Sequence, residues 1–493
     1  MCNSGTQELW RTLALTTDTG ILQAGGGRGG PRPVSGRLRL LPAALLIAAL
    51  AGCASSREKQ SFDEYYRVEA EYHPVEAEGE TPETGVPELG EESTLADYLV
   101  YAALRNPGLE AAFNEWKAAL EMIPQVRSLP DPRFTYAYYI DAVETRVGPQ
   151  EQSFALVQTF PWLGKLRRRG DVAFEASEAA RQKYEAAKLR LFYQVKQAYY
   201  EYYYLHRSID IMRDNLGLVN SLEAVARGKF QAGLAPYAAV VKAQVEMGKL
   251  DDQLKTLEDL RGPTAAGLNA ALGRSPGSYL PWPRPITMEQ VAFTDEEVLN
   301  SLREANPELL ALGFMTAREE AAMSLARHSY VPDITLGATL IQTGEAVNPE
   351  LTDSGKDAVM ATLSLNLPIW FGKYRAAQKE AQARHHATAK RREDLENHLV
   401  TDLKMAVFHF RSAERRIDLY GDSLVPKAEQ SLSASQRAFS AGEADFFDLI
   451  DAQRTLLEFQ LAYERALADR AQKLAKIEML TGEEILYVQP GAD

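Results

Sequence analysis

Little in this chain can carry out covalent, redox or metal chemistry. Its 493 residues include two cysteines, Cys2 and Cys53, too few for a disulfide framework or a cysteine-based metal site. The adjacent pair His385 and His386 diverges by about 100° on a helix, so the two rings do not readily share a metal. No His-Glu-x-x-His segment occurs, and Gly164-Lys165 lacks the preceding glycine and the following Ser or Thr of a phosphate-binding loop. The apolar run Leu40–Leu50 is about a dozen residues, too short for a typical membrane-spanning helix. A formal net charge of −14 disfavours nucleic acid as a partner. Neither an enzyme active site nor a bound cofactor or metal is expected.

What is present begins with a leader. Arg37 and Arg39 form a short basic region, Leu40–Leu50 follows, and the run ends in Leu50-Ala-Gly-Cys53. This resembles a bacterial lipoprotein signal, in which the cysteine thiol is acylated and becomes the new N-terminus; an ordinary signal peptide with a chance cysteine is the alternative. Ala54 after the cysteine implies, by analogy with enteric lipoproteins, delivery to the outer membrane. Residues 1–33 are Gly- and Thr-rich and do not belong to a signal. Translation starting at Val34 accounts for them, as does a long leader. Residues 1–52 are therefore read as leader and signal peptide. Residues 53–93 are read as the lipidated Cys53 and an acidic tether, too poor in apolar groups to offset the entropy of ordering.

From Thr94 onward the chain runs through one pattern twice. Asn106-Pro107 joins a short helix to a longer one, with proline suited to the first helical turn. After Leu129-Pro-Asp-Pro132 the period becomes two: Phe134, Tyr136, Tyr138 and Ile140 alternate with Thr135, Ala137, Tyr139 and Asp141. Strands are expected at about 133–142 and 153–160, close to the roughly 9–11 residues a tilted strand needs to cross a bilayer. Pro161-Trp-Leu-Gly-Lys165 ends the second. A seam from Ala180 through Tyr184, Leu191, Val195, Tyr202, Ile209 and Val219 then predicts a helical rod over about 166–227. Phe230-x-Ala-Gly233 breaks it, and a helix from about Pro236 to Leu272 returns.

The second half repeats these landmarks in order. They are Asn306-Pro307, strands at about 333–342 and 358–367, Pro368-Ile-Trp-Phe-Gly-Lys373, a rod from about 374 to 438, and Phe439-x-Ala-Gly442. The two Phe-x-Ala-Gly turns are 209 residues apart, as are Gly273 and Gly482. Residues 94–275 and 300–484 are thus read as two copies, separated by a Pro-rich segment at 276–299 and followed by a tail at 485–493. The fold class is mainly α with transmembrane β. Four strands cannot close a barrel, and an open edge is not tolerated in lipid, so either several chains pool their strands or the hairpins lie outside a membrane.

The doubled Asn-Pro, the two Pro…Gly-Lys strand exits and the paired Phe-x-Ala-Gly turns together resemble the TolC-like outer-membrane efflux proteins, over about Thr94–Glu484. The resemblance implies a homotrimer with a twelve-stranded β-barrel in the outer membrane, continued by an α-helical barrel across the periplasm. It implies lipidation in some members, a periplasmic adaptor protein and an inner-membrane pump as partners, and an exit duct for small molecules or ions. Gly233, Leu234, Gly442 and Glu443 would form the tip that meets the adaptor. Asp448 and Asp451 would face the lumen as acidic gate rings. Their first-half equivalents are Ala239 and Lys242, and a Lys242–Asp451 ion pair is expected to latch the closed state. Trp162, Lys165, Trp370 and Lys373 would anchor the membrane boundary; the alternative is that they cap long helices. The outer-membrane component of a type I protein secretion system and a poreless coiled-coil lipoprotein remain the competing functions.

Overall fold

The computed structural model describes residues 56–72, 87–286, 290–348 and 350–485. The chain divides into two units, Met1–Val75 and Glu76–Asp493. Cys53, the leader, residues 73–86 of the acidic stretch and residues 486–493 lie outside the described residues. Of the first unit the described part is helix α1 (Ser56–Tyr72). This corrects the expectation of a wholly unstructured tether. Phe62, Tyr65 and Tyr66 lie three and four residues apart, so one helix face gathers them. Tyr65 is buried and its ring meets Tyr66 at 5.1 Å. The acidic average of the whole stretch hides that aromatic stripe.

The second unit runs through one order of elements twice. First come α2 (Leu95–Arg105), α3 (Pro107–Arg127), β1 (Arg133–Val143), β2 (Gln150–Phe160), α4 (Leu163–Gln231) and α5 (Tyr237–Ala271). Then come α6 (Asp295–Ala305), α7 (Pro307–His328), β3 (Ile334–Thr343), β4 (Ala358–Leu365), α8 (Phe371–Asp418), a π-helical turn (Leu419–Leu424), α9 (Val425–Ala441) and α10 (Phe446–Thr481). The rod α4 is a single helix of 69 residues, about 100 Å long at 1.5 Å per residue. The second rod is expected in one piece but is divided by the π turn. Pro426 supplies no N–H to the carbonyl one turn back. Gly421 lets the distorted turn sit against Tyr463, where a Cβ would come within 2.9 Å of the ring.

The Asn-Pro junctions show why those dipeptides recur. Asn106 accepts from the N–H groups of Gly108 (2.8 Å) and Leu109 (3.1 Å), capping α3, and its Nδ2 donates to the Ala271 carbonyl at 3.0 Å. Asn306 accepts from Glu308 (3.0 Å) and Leu309 (3.1 Å) and donates to the Leu480 carbonyl at 2.9 Å. Each side chain therefore starts one helix and satisfies the end of another. Gly273 and Gly482, both at positive φ, close against the backbone of Arg105 and Ala305. Around the second junction Leu302, Leu309, Leu403, Phe410, Ile477 and Leu480 form a dry core. Most of the α4 seam, including Tyr184, Leu191, Val195, Tyr202, Ile209 and Val219, is buried within the chain.

The four strands form one antiparallel sheet in the order β1-β2-β3-β4. Phe134 pairs with Leu156, Leu156 with Ala338 and Ala338 with Ala361, while Leu340 pairs with Val359. Directly paired residues share a face, so one face collects Phe134, Tyr136, Leu156, Leu336, Leu340 and Leu363. The other collects Thr135, Ala155, Thr339, Thr335 and Ser364. Along this apolar face Ile140 is 91% exposed and Val359 79%. The outer edges of β1 and β4 are unpaired among the described residues.

Candidate functional site

The two glycine turns lie a rod's length from the sheet and are built alike. Gly233 (φ +73°) and Gly442 (φ +84°) take left-handed backbone, which glycine adopts without a Cβ penalty. The Gly233 N–H donates to Phe230 O at 3.0 Å and the Leu234 N–H to Lys229 O at 2.8 Å. The Gly442 N–H donates to Phe439 O at 3.1 Å and the Glu443 N–H to Ala438 O at 2.9 Å. This pair of bonds ends the helix and satisfies its last carbonyls. Gly233, Leu234, Gly442 and Glu443 are all exposed.

The surroundings of the turns differ. Phe439 and Phe446 are buried and meet edge-on at 5.3 Å, whereas Phe230 and Tyr237 pair at 5.2 Å in the open. Behind the turns, Leu222, Val240 and Ala243 of the first half join Leu432, Ile450 and Leu456 of the second in one apolar cluster. Among the polar ties between the halves, two lie close to the turns. Lys229 donates to the carbonyls of Phe439 and Ser440, the latter at 2.9 Å, and lies over the Phe439 ring at 4.7 Å. Arg454 clasps Glu246 with two N–H donors, Nε at 2.9 Å from Oε1 and an Nη on Oε2. Those hydrogen bonds hold the Glu246 carboxyl below its ordinary range against the opposing cost of burial. Nearby, Glu223 accepts from Arg227 and from Gln244 at 3.0 Å.

Asp445 caps α10, accepting from the Phe447 N–H at 3.4 Å. Asp448 and Asp451 are exposed, share one helix face, and form no ion pair among the described residues. Among the described residues of this one chain, Lys242 and Asp451 form no ion pair. Lys242 instead lies 5.3 Å over the Phe447 ring, a cation–π contact that occupies its ammonium. Lys229, Glu246 and Arg454, which tie the halves together near the tip, carry no local sequence signal of that role. The signal available lies between the copies: Glu246 and Arg454 follow the two glycines by nearly equal distances with opposite charge.

At the other end of the rods, Trp162, Trp370 and Lys373 are exposed. Lys165 also lies at this end, but it is buried and its ammonium meets Asp333 at 2.8 Å. Phe160 pairs with Ile334, so the β2 exit and the β3 entry are neighbours, and Asp333 also accepts from the Trp162 N–H at 3.1 Å.

Two long antiparallel hairpins of helix, tied at a common tip and carrying a four-stranded sheet at the opposite end, define a duplicated helical-hairpin architecture with a small β end. Sequence comparison makes this specific. The model of the family described as "Outer membrane efflux protein" matches residues 99–274 and again residues 298–483. The chain belongs to this family. It is 23% identical over 305 residues to the pyoverdine export outer membrane protein OpmQ of Pseudomonas putida, a match spanning 60% of this chain and 63% of that relative. It is 21% identical over 400 residues to the cobalt-zinc-cadmium resistance protein CzcC of Cupriavidus metallidurans, covering 79% of this chain and 90% of the relative. The fold is that of the outer membrane protein VceC from Vibrio cholerae, with a TM-score of 0.65 at 18% identity, covering 80% of this chain and 97% of that structure.

Proposed function

We propose that this chain is the outer-membrane exit duct of a tripartite efflux system, working as a homotrimer and passing small molecules or ions from periplasm to exterior. The sheet is the observation that carries the reading. Its exposed apolar face suits lipid, its Thr- and Ser-bearing face suits a wet lumen, and its two free edges call for further strands. Three copies supply twelve. The second rod also keeps Met405, Phe408 and Leu419 exposed, an unused apolar stripe that a neighbouring copy would cover. Leu234 and Glu443 at the tip are then the contacts for a periplasmic adaptor, and the inner-membrane pump supplies the energy. Acylated Cys53 would add a lipid anchor. The relatives named above differ in cargo, so cargo is left at the level of class.

Asp448 and Asp451, exposed and aligned, become two acidic rings at the closed tip and make the entrance cation-selective and sensitive to multivalent cations. The purified full chain in a planar bilayer tests both levels. Unitary currents with cation preference are expected, and Asp448→Asn/Asp451→Asn should weaken the preference and relieve block by multivalent cations. Absence of any unitary current sinks the duct. Unchanged selectivity and block in the variant sink the gate alone.

A further inference from the structure

The two ends of the sheet carry opposite charge. The antiparallel order brings segments 127–133, 160–171, 327–334 and 366–375 to the helical end, and these hold nine Lys or Arg against three Asp. At the other end, residues 141–151 and 344–357 hold seven acids against two cations. In a chain of net charge −14 the basic collar is a local reversal.

The three acids of the collar do not neutralise it. Asp333 is taken by Lys165, Asp171 lies 4.0 Å from Arg127 and 3.8 Å from Arg168, and Asp131 is exposed with no ion pair among the described residues. Arg167, Arg169, Lys373 and Arg375 are exposed except for Lys373's loose contact with the Tyr374 ring, and none makes an ion pair among the described residues. Helix capping does not explain them. Arg167 and Arg169 lie in the first two turns of α4, and Lys373 and Arg375 in the first two of α8. Neither helix has an acid in its first turn. The positive end of a helix dipole repels cations, so these positions are unfavourable until an anion arrives.

Apolar side chains show what kind of anion. Trp162 is 50% exposed just past β2, and Leu367 and Ile369 are 70% and 61% exposed just past β4. Exposed apolar side chains thus follow both strand ends and neighbour in sequence the cations without ion pairs. We infer that this collar binds the phosphate headgroups of anionic phospholipid on the periplasmic leaflet, fixing the depth and direction of insertion. The inference rests on the membrane reading of the sheet. The acidic far end, which the same headgroups repel, supplies the asymmetry.

Tryptophan quenching by brominated lipid tests it with the full chain. Vesicles contain the same fraction of either brominated phosphatidylglycerol or brominated phosphatidylcholine, with Trp162→Phe/Trp370→Phe as the blank. At low salt the anionic lipid should quench at least about twofold more than the zwitterionic one. Salt should erase the excess. So should Arg167→Gln/Arg169→Gln/Arg375→Gln, in a protein whose Trp162 and Trp370 are still quenched equally by both lipids. Equal quenching by both lipids in the unmodified chain at low salt overturns the proposal, as does an excess that survives in the triple variant. If neither lipid quenches, the membrane reading falls and this inference with it.

Discussion

Replacing Arg454 with methionine should loosen the tip more than replacing Glu246 with glutamine, although each change removes the same ion pair. The two partners are unequally buried: the Glu246 side chain is 6% exposed and that of Arg454 is 38%. In Glu246→Gln the guanidinium left behind reaches water, and the amide still accepts one N–H. The cost is then that of one charge-assisted bond in a half-exposed setting, about 1 kcal/mol. In Arg454→Met a carboxylate stays buried without its donors, and the cost rises to about 2–3 kcal/mol. The double variant has no stranded charge and should sit close to Glu246→Gln alone, giving a coupling of about 2–3 kcal/mol in a double-mutant cycle. Amide hydrogen exchange over the tip-proximal turns of α5 and α10 reads these opening energies locally. Equal costs for the two single variants, or strict additivity in the double, would refute the argument from unequal burial.

The same pair gives a pH dependence. Hydrogen bonding from Arg454 depresses the Glu246 carboxyl, so its contribution is complete above the ordinary carboxylate pKa of about 4.3 and is lost as pH falls through the lower folded value. Exchange protection at the tip, corrected for intrinsic rates, should hold through neutral pH and fall only in acid; in Glu246→Gln that acid limb should vanish. At the helix junctions, Gly482→Ala should cost more than Gly233→Ala. Both meet the left-handed penalty of about 1–2 kcal/mol, but a Cβ at Gly482 also comes 2.5 Å from the Ala305 carbonyl oxygen, while Gly233 has open space around it. Asn306→Ala, which removes a cap and the donor to Leu480, should cost about 1–2 kcal/mol. Comparative thermal melts decide the glycine ordering and the size of the Asn306 effect.

The parts of this fold that local chemistry dictates were readable from the chain. Positive φ at Gly233 and Gly442, proline after a capping Asn, and alternation in the strands are each written within a few residues. The strands accordingly fall within three residues of their expected ends. Side-chain partners set by packing were not readable. Lys165 looked like a boundary cation because its partner Asp333 is 168 residues away, and adjacency of β2 and β3 is what joins them. Lys242 looked like a partner for Asp451 because it holds the equivalent position in the other copy, while the fold sets it over Phe447. Pro426 was a local signal for breaking the second rod, but the helical period on either side masks it.

The mismatch between the two turns bears most on function. An equal pair of hairpins would give a trimer six equivalent turns at its tip. Here the first-half turn exposes Phe230, Leu234 and Tyr237, while the second-half turn buries Phe439 and Phe446, exposes Phe447 and follows with Asp448 and Asp451. Under the proposed function the first turn offers the larger apolar surface to a partner, and the second adds the carboxylates. The two are not independent, because Lys229 of the first rod holds the last carbonyls of the second. An adaptor that displaced the first turn would drag on the Lys229 tie, and the acidic helix start lies just beyond those carbonyls. In the proposed trimer, coupling between docking and opening then needs no long pathway: it runs through one lysine and the backbone it grips, with the Glu246–Arg454 clasp setting how stiffly the returning helices follow.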